Sequence, residues 1–280
     1  MIFLQLSCVL LAIVCLTLES VLALPAPPAG RCGSEATANG VLLAEAHFRE
    51  HLVLPDKANS AFSAVCPVIS VYWNIICDIN TLEGGCIPDT YIENQLAVLN
   101  RAFAATEISF QSANISRWLE PAWFTLSSIP ADAAPMKQSL AVRNPDVLNV
   151  YTVGGLPKPS AGTGITLGYS SFPWEYTTDP ISDGVVVIFP TLPGGGLAKQ
   201  DLGANLIHEV GHWSGLWHTF QGGCTSPGDF VSDTPAEVVP SSGCLTVTPD
   251  SCPDDPGRTQ FIILWITRMI RVDISSPQFR

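Results

Sequence analysis

The chain has 280 residues, which is enough for one domain or for two lobes around a cleft. Hydrophobic residues make up 47% of it and charged residues only 14%, whereas about 25% is typical of globular proteins. With 25 acidic and 13 basic residues the formal net charge is −12, and no basic patch is present, which argues against nucleic acid as a partner.

The first 23 residues are almost wholly apolar, and the proline-rich stretch from Leu24 to Pro28 ends any helix that begins there. Residues 1–23 are therefore predicted to be a secretory signal peptide. A membrane anchor is the less favoured alternative, because the apolar run is short for a span. We expect a secreted, extracellular protein that is not attached to a membrane and that is glycosylated at Asn114, in the sequon Asn114-Ile115-Ser116.

Residues 24–40 are predicted to be a proline-rich linker or a short pro-segment, and they contain Cys32. A thiolate at this position could cap a metal further along the chain and keep an enzyme latent. We favour the alternative that Cys32 forms a disulfide, as cysteines of secreted proteins commonly do. His47 and His51 lie four residues apart on a predicted helix, and we expect an exposed helix face there rather than a metal pair, because no third ligand is nearby.

Alternating helices and strands follow, which predicts a mixed α/β lobe. Apolar residues at helical spacing, or runs of β-branched and aromatic residues, identify the elements. Helices are predicted at about 40–57, 88–105 and 134–142, and another begins at Asp201. Strands are predicted at 68–76, 108–111, 147–152 and 183–189, with a loop-strand segment at 162–169.

The segment from His208 to His218 reads H-E-x-x-H-x-x-G-x-x-H. On a helix, His208 and His212 share one face one turn apart, so that two neutral imidazoles can hold one Zn²⁺. Glu209 lies beside the first ligand, where it can act as a general base on a metal-bound water. Gly215 permits a sharp exit from the helix, which brings His218 back as the third ligand and leaves one coordination position open.

This motif, together with Thr219 to Cys224 and Gly228 to Pro235, resembles the pappalysin family of metzincins, and in particular the secreted extracellular metalloproteases of fungi. The resemblance covers roughly residues 68–257. It implies an α/β (α+β) zinc protease with a mixed-sheet upper lobe, an active-site helix and a small irregular lower lobe. We accordingly predict a catalytic domain over residues 41–257.

The same resemblance implies a zinc endopeptidase that acts on extracellular protein or peptide substrates, with one catalytic Zn²⁺ held by His208, His212 and His218. We expect such an enzyme to be a monomer. Some members bind Ca²⁺ in the loop after the third histidine. Asp229 and Asp233 are oxygen donors in the matching loop, although a solvated turn would explain them equally well.

The C-terminal residues depart from this family. Metzincins have a methionine-containing turn beneath the zinc, but after Arg258 this chain continues with an unrelated apolar run from Phe261 to Ile266. One G inserted after the Arg258 codon would permit the family's turn, and it would force Asp at two positions where the family has Asp. Residues 258–280 are therefore interpreted as an aberrant, frameshifted tail.

The cysteine count agrees with this interpretation. Of nine cysteines, Cys8 and Cys15 leave with the signal peptide, and the remaining seven are an odd number for a secreted protein. The resemblance implies a disulfide between Cys224 and Cys252, which leaves Cys244 without a partner. The pairing among Cys32, Cys66, Cys77 and Cys86 stays open.

If the tail is genuine, the favoured alternative is a catalytically impaired, secreted zinc-binding module, because the turn that supports the zinc is missing. A zinc hydrolase that acts on something other than peptides is a further alternative. Sequencing of the transcript across the Arg258 codon tests the frameshift. We expect one additional G there, and a transcript that encodes the tail as printed would refute the hypothesis.

Overall fold

A computed structural model describes residues 32–34, 38–51, 68–106, 108–158, 164–225, 228–231, 234, 236–238 and 251–252. The predicted signal peptide, most of the predicted linker and residues 258–280 lie outside these residues. Within them, no helix combines the length and the apolar character that a membrane span requires.

The described helices are α1 (Ala38–His51), α2 (Asp89–Phe103), α3 (Pro121–Phe124), α4 (Ala133–Leu140) and α5 (Ala204–Trp213). Short 3-10 turns occupy Ala104–Thr106, Pro173–Glu175 and Phe189–Thr191. The strands are β1 (Val68–Cys77), β2 (Ser109–Leu119), β3 (Val147–Val153), β4 (Gly168–Ser170) and β5 (Val185–Ile188). The predicted elements are all present, but β2 continues eight residues beyond its predicted end at 111. Its eight later residues are mostly exposed and four of them are polar, so the apolar run used to predict strands is absent there.

The five strands form one mixed sheet in the order β2-β1-β3-β5-β4. All neighbours run parallel except β4, which is antiparallel to β5 and forms one edge of the sheet. Every residue of β3 is buried, as expected of a central strand covered on both faces. The predicted mixed α/β fold class is confirmed.

Two apolar cores lie on the two faces of the sheet. One face packs against α2 and α5 through residues such as Leu99, Phe103 and Val210, and the other packs against α4 through Met136. A third, smaller cluster joins α1 to the segment after the active-site helix, and it contains Val41, Ala44, Phe172 and Trp217. Helix α1 begins before residue 41, so the predicted boundary between linker and catalytic domain falls inside a helix.

The start of α5 depends on a close contact with α2. Gly203 precedes the helix with a φ of 79°, and its carbonyl oxygen accepts a hydrogen bond of 3.1 Å from the amide of Gln95. A Cβ atom at Gly203 would lie 2.7 Å from Gln95 Oε1. Because Gln95 is fully buried, it has no free space into which it can retreat.

The substitution Gly203→Ala is therefore expected to lower the free energy of unfolding by more than the positive φ alone requires. The backbone conformation costs about 1–2 kcal/mol, and the overpacking adds about 1–3 kcal/mol. Gly196→Ala is the matched control, because Gly196 also has a positive φ, of 89°, but no atom lies within 4 Å of its added Cβ. Urea unfolding of the two variants measures the difference, and equal losses would contradict the proposed contact.

Candidate metal centre and active site

Three histidines converge on one point at the end of α5. His212 Nε2 lies 3.1 Å from His208 Nε2 and 3.2 Å from His218 Nε2. The first two share a helix face, as their spacing predicts. The third returns through a turn in which Gly215 has a φ of 99° and Leu216 N donates to Gly211 O. The sequence therefore places the two helical histidines, and the glycine turn positions the third.

The central imidazole is held in a defined tautomer. His212 Nδ1 lies 2.6 Å from Leu216 O, and because a carbonyl can only accept, Nδ1 carries the proton. The lone pair of Nε2 therefore points toward the other two rings. A hydrogen bond from the other ring nitrogen to a carbonyl commonly orients a metal-bound histidine.

This donor set fits a zinc ion. Tetrahedral coordination with Zn–N bonds of about 2.0–2.1 Å separates ligand nitrogens by about 3.3–3.4 Å, close to the observed separations. Burial lowers the pKa of His212 to about 4 and that of His218, which also faces His212, to about 3. Burial and the two neighbouring rings hold the pKa of His208 well below its usual value. All three imidazoles are thus neutral at physiological pH, the state in which they bind metals.

Glu209 lies beside this cluster and is fully buried. Its Oε2 is 3.3 Å from Ser34 Oγ and 3.5 Å from Cys32 Sγ, whereas Oε1 has no hydrogen-bond partner among the described residues. Burial raises the pKa of Glu209 to about 8, against the opposing effect of the hydrogen bonds from Cys32 and Ser34. Burial therefore disfavours the charged carboxylate in the metal-free site, and a metal cation held by the adjacent histidines would favour it again.

Cys32 completes the cluster, and the expectation that it forms a disulfide was wrong. Its thiol is free, and its Sγ and one ring nitrogen from each of His208, His212 and His218 all lie within 4.8 Å of one another. Among the described residues, no other group of three or more His, Cys, Asp or Glu side chains meets this condition. Burial, followed by the negative charge of Glu209, raises the pKa of the Cys32 thiol well above its usual value. A divalent cation reverses this preference, because a coordinated thiol loses its proton.

Pairing with an edge strand brings Cys32 to this position. Gly33 N donates to Gly168 O at 2.8 Å, and Ser170 N donates to Ser34 Oγ at 2.8 Å. Residues 32–34 thereby run parallel to β4 and also contact α5 through Glu209. Ser34, Gly168 and Ser170 were missed by sequence reasoning, because no local pattern marks a three-residue pairing between segments more than 130 residues apart.

Helix α1 packs beside the turn that carries His218. Trp217 Nε1 donates to Glu45 Oε1 at 2.9 Å, and the ring of Trp217 lies among Val41, Ala44 and Phe172. Phe172 also meets His212 edge-on, with ring centroids 5.4 Å apart. The side chains of His47 and His51 lie outside the described part of α1, so the expectation of an exposed helix face there stays a prediction.

The remaining predicted site residues lie around the centre. A disulfide joins Cys224 to Cys252, the pair that the resemblance implies, and a second joins Cys77 to Cys86. Asn114 is exposed on β2, at the sheet edge opposite β4.

The loop after the third histidine contains a buried carboxylate. Asp229 is buried and accepts a hydrogen bond from Val231 N at 3.0 Å, which does not fit a solvated turn at this residue. Glu237 is also buried, and its Oε2 lies 2.6 Å from Thr219 Oγ1. Asp233, the other predicted calcium donor, lies outside the described residues.

A helix that bears H-E-x-x-H beside the edge strand of a mixed sheet, with a third histidine from the following turn, defines a metzincin-type zinc metalloprotease site. A family model described as pregnancy-associated plasma protein-A, peptidase family M43, matches residues 144–255.

Fungal relatives match most of the chain. An extracellular metalloprotease of Sordaria macrospora is 35% identical over 229 residues, which cover 81% of this chain and 76% of the relative. Extracellular metalloprotease 1 of Coccidioides posadasii is 37% identical, with 83% and 80% covered. An extracellular metalloprotease of Colletotrichum graminicola is 38% identical, with 70% of this chain and 66% of the relative covered.

Solved structures show the same fold. Mirolysin in complex with a small compound is 27% identical, with a TM-score of 0.55, and 68% of this chain and 79% of that chain are covered. A promirolysin variant from Tannerella forsythia has a TM-score of 0.61 at 22% identity, with 80% of this chain and 82% of that chain covered. The chain belongs to the pappalysin family of metalloproteases, and the prediction of this family and of the metalloendopeptidase class is confirmed.

Proposed function

We propose that this protein is a secreted zinc endopeptidase that hydrolyses extracellular proteins, with His208, His212 and His218 as metal ligands and Glu209 as the general base. The observation that carries the proposal is the convergence of three neutral imidazoles beside a buried carboxyl group. A bound zinc ion supplies Lewis acidity, which acidifies a water molecule and polarises the scissile carbonyl. The extracellular location is supported by the printed names of the relatives.

The protein's own residues then perform the proton transfers. Glu209 removes a proton from the attacking water and donates it to the leaving amine, which restores the carboxylate. A bound metal cation would favour the carboxylate that accepts the proton, and the burial of Glu209 favours the protonated form that then donates it.

The edge strand supports a peptide as the substrate. Gly168 O and Ser170 N are hydrogen-bonded to residues 33 and 34, so β4 offers main-chain partners to an extended segment in the cleft. Strand addition of this kind recognises a peptide backbone whatever its side chains. A hydrolase of small esters would have no use for such an edge, which favours the endopeptidase over the non-peptide hydrolase.

The same contacts support latency of the unprocessed chain. Cys32 and Ser34 contact Glu209, and with the Cys32 thiol within 4.8 Å of the three histidine nitrogens it would take the coordination position that water needs at a bound metal. Helix α1 continues this segment and packs on Trp217. We therefore infer that the inhibitory segment includes residues 32–51 and extends beyond the predicted boundary at residue 40.

The impaired zinc-binding module is the second candidate, and its support is the unusual sequence after Arg258. Expression of the chain as printed and of a gene with one G restored after the Arg258 codon separates the two candidates. Chelator-sensitive casein cleavage by the restored chain alone would assign the endopeptidase function to the intact frame. If both chains bind zinc and neither cleaves casein after proteolytic activation, the binding module is the better description.

Glu209→Gln is expected to lower kcat for a peptide substrate by roughly 10³-fold, because a general base contributes about 10²–10⁴-fold. Zinc content should stay unchanged, since Glu209 is not a ligand in this proposal. The assay uses a Cys32→Ser background, and Glu93→Gln on the exposed surface of α2 is the control for the loss of one carboxylate. Unaltered kcat in Glu209→Gln would remove Glu209 from the mechanism.

Cys32→Ser alone is expected to raise the peptidase activity of the unprocessed chain at least tenfold, because a hydroxyl is a far weaker zinc ligand than a thiolate. Zinc content and the melting temperature are measured in parallel, and limited proteolysis of both proteins gives the activity of the open enzyme. If the variant stays as inactive as the parent while proteolysis activates both proteins, Cys32 does not inhibit the unprocessed enzyme.

A further inference from the structure

A buried carboxylate outside the zinc cluster connects the two walls of the cleft. Asp183 is 5% exposed and lies just before β5. Its Oδ1 accepts hydrogen bonds of 3.0 Å from Ser171 Oγ and 3.0 Å from Trp213 Nε1. Ser171 directly follows the edge strand β4, and Trp213 is the last residue of α5, next to His212. One oxygen atom thus joins the end of the edge strand to the end of the helix that carries the metal ligands.

A buried lysine holds the loop that carries this carboxylate. Lys137, on α4, is 2% exposed, and its Nζ donates to Ser182 O at 2.6 Å and lies 3.5 Å from Gly184 O. These two carbonyls flank Asp183 in the chain. Gly184 N in turn donates to Ser171 Oγ at 2.9 Å. The loop 182–184 is therefore attached to α4 on one side and to the end of β4 on the other.

The charges of the two groups support each other. A buried ammonium or carboxylate is costly without a partner of opposite charge. Burial raises the pKa of Asp183, and the hydrogen bonds from Trp213 and Ser171, followed by the charge of Lys137, oppose that rise. Burial lowers the pKa of Lys137 to about 8, and Asp183 is the first of the acidic groups that oppose this and favour its charged form. Nζ also lies 5.1 Å from the ring centroid of Tyr169, within the range of cation–π attraction.

The hydrogen bonds of Asp183 lie next to the candidate active site, because Trp213 follows His212 in the chain. Residues 32–34 contact both β4 and α5, because Ser34 Oγ is close both to Ser170 N and to Glu209 Oε2. A substrate segment on the same strand edge would meet the same two elements. Their relative position depends on groups that join β4 to α5. The hydrogen bond from Asn205 Nδ2 to Leu167 O lies near the start of β4, and Asp183 lies at its far end.

We propose that Asp183 is a positioning residue that holds the end of α5 against the edge strand, and that Lys137 fixes the loop from which it acts. The consequence is that both zinc affinity and peptide binding depend on a hydrogen-bonded carboxylate that contacts neither metal nor substrate. The part of this inference that concerns peptide binding rests on the proposed endopeptidase function, whereas the part that concerns zinc affinity does not.

Three variants at two positions test the proposal. Asp183→Ala removes the acceptor, Asp183→Asn retains an oxygen for Ser171 and Trp213, and Trp213→Phe removes only the N–H donor while keeping an aromatic ring. Zinc affinity is measured by competition with a chromogenic chelator on the full chain, and thermal unfolding gives the stability loss. KM and kcat for a peptide are measured in the Cys32→Ser background.

Asn100→Ala is the matched control. Asn100 makes two hydrogen bonds, as Asp183 does, but its partners are the backbone O of Phe110 at 2.9 Å and the backbone N of Phe110 at 2.8 Å. It joins α2 to β2 at the opposite edge of the sheet. Its removal is expected to lower stability by a similar amount without any effect on the site.

We expect Asp183→Ala to weaken zinc binding about tenfold or more, in the range of about 10–100-fold known for residues that orient metal ligands, and to raise KM. Asp183→Asn should recover most of the zinc affinity, and Trp213→Phe should show an intermediate loss.

If Asp183→Ala does not fold, the zinc affinity of Trp213→Phe tests the proposal in its place. Zinc affinity and KM equal to those of Asn100→Ala, at equal loss of stability, would overturn the proposal. If no variant cleaves peptide but zinc affinity follows the expected order, the endopeptidase function fails and the positioning role of Asp183 remains.

Discussion

The structure depends on bringing three imidazoles within hydrogen-bonding distance of one another in a largely buried place. Protonated rings would repel one another there, and burial already disfavours the charged form, so each ring is held neutral. Three lone pairs that face one point are unfavourable without a cation between them. The surrounding groups explain how the protein maintains this arrangement: Leu216 O orients His212, Gly215 permits the return of His218, and Gln95 anchors the start of α5.

The N-terminal segment occupies the same edge strand to which the proposed function assigns substrate binding. A sheet edge with free main-chain groups invites pairing by another extended chain. Here residues 32–34 pair with β4, and Cys32 is thereby placed against the histidines. Contacts from α1 to Trp217 add an apolar anchor at a distance from the metal cluster. The proposed latency would therefore combine a donor atom, a few hydrogen bonds to the edge strand and a packed helix.

Polar groups outside the histidine cluster hold α5 in place. Gln95 binds the residue before the start of the helix, Asn205 in its first turn binds Leu167 O, and Asp183 binds Trp213 at its end. Packing in an apolar core sets the distance between a helix and the sheet beneath it. It still permits the helix to slide or rotate, because dispersion contacts have little direction. Directional hydrogen bonds restrict those movements, which matters when ligand atoms must meet within a few tenths of an ångström.

The sequence by itself determined the elements of the fold, the α/β class and the family, because periodicity and the spacing of His208, Glu209 and His212 are local properties of a helix or a strand. It also identified His218, since the glycine turn is encoded within the same eleven residues. Only the tertiary structure decided the state of Cys32, the role of Ser34 and the connection of Asp183 to Trp213. These contacts join segments that are 177, 175 and 30 residues apart in the chain. Such pairs are created by sheet order and strand register, and no local pattern of residue types records which distant segment will lie alongside an edge strand.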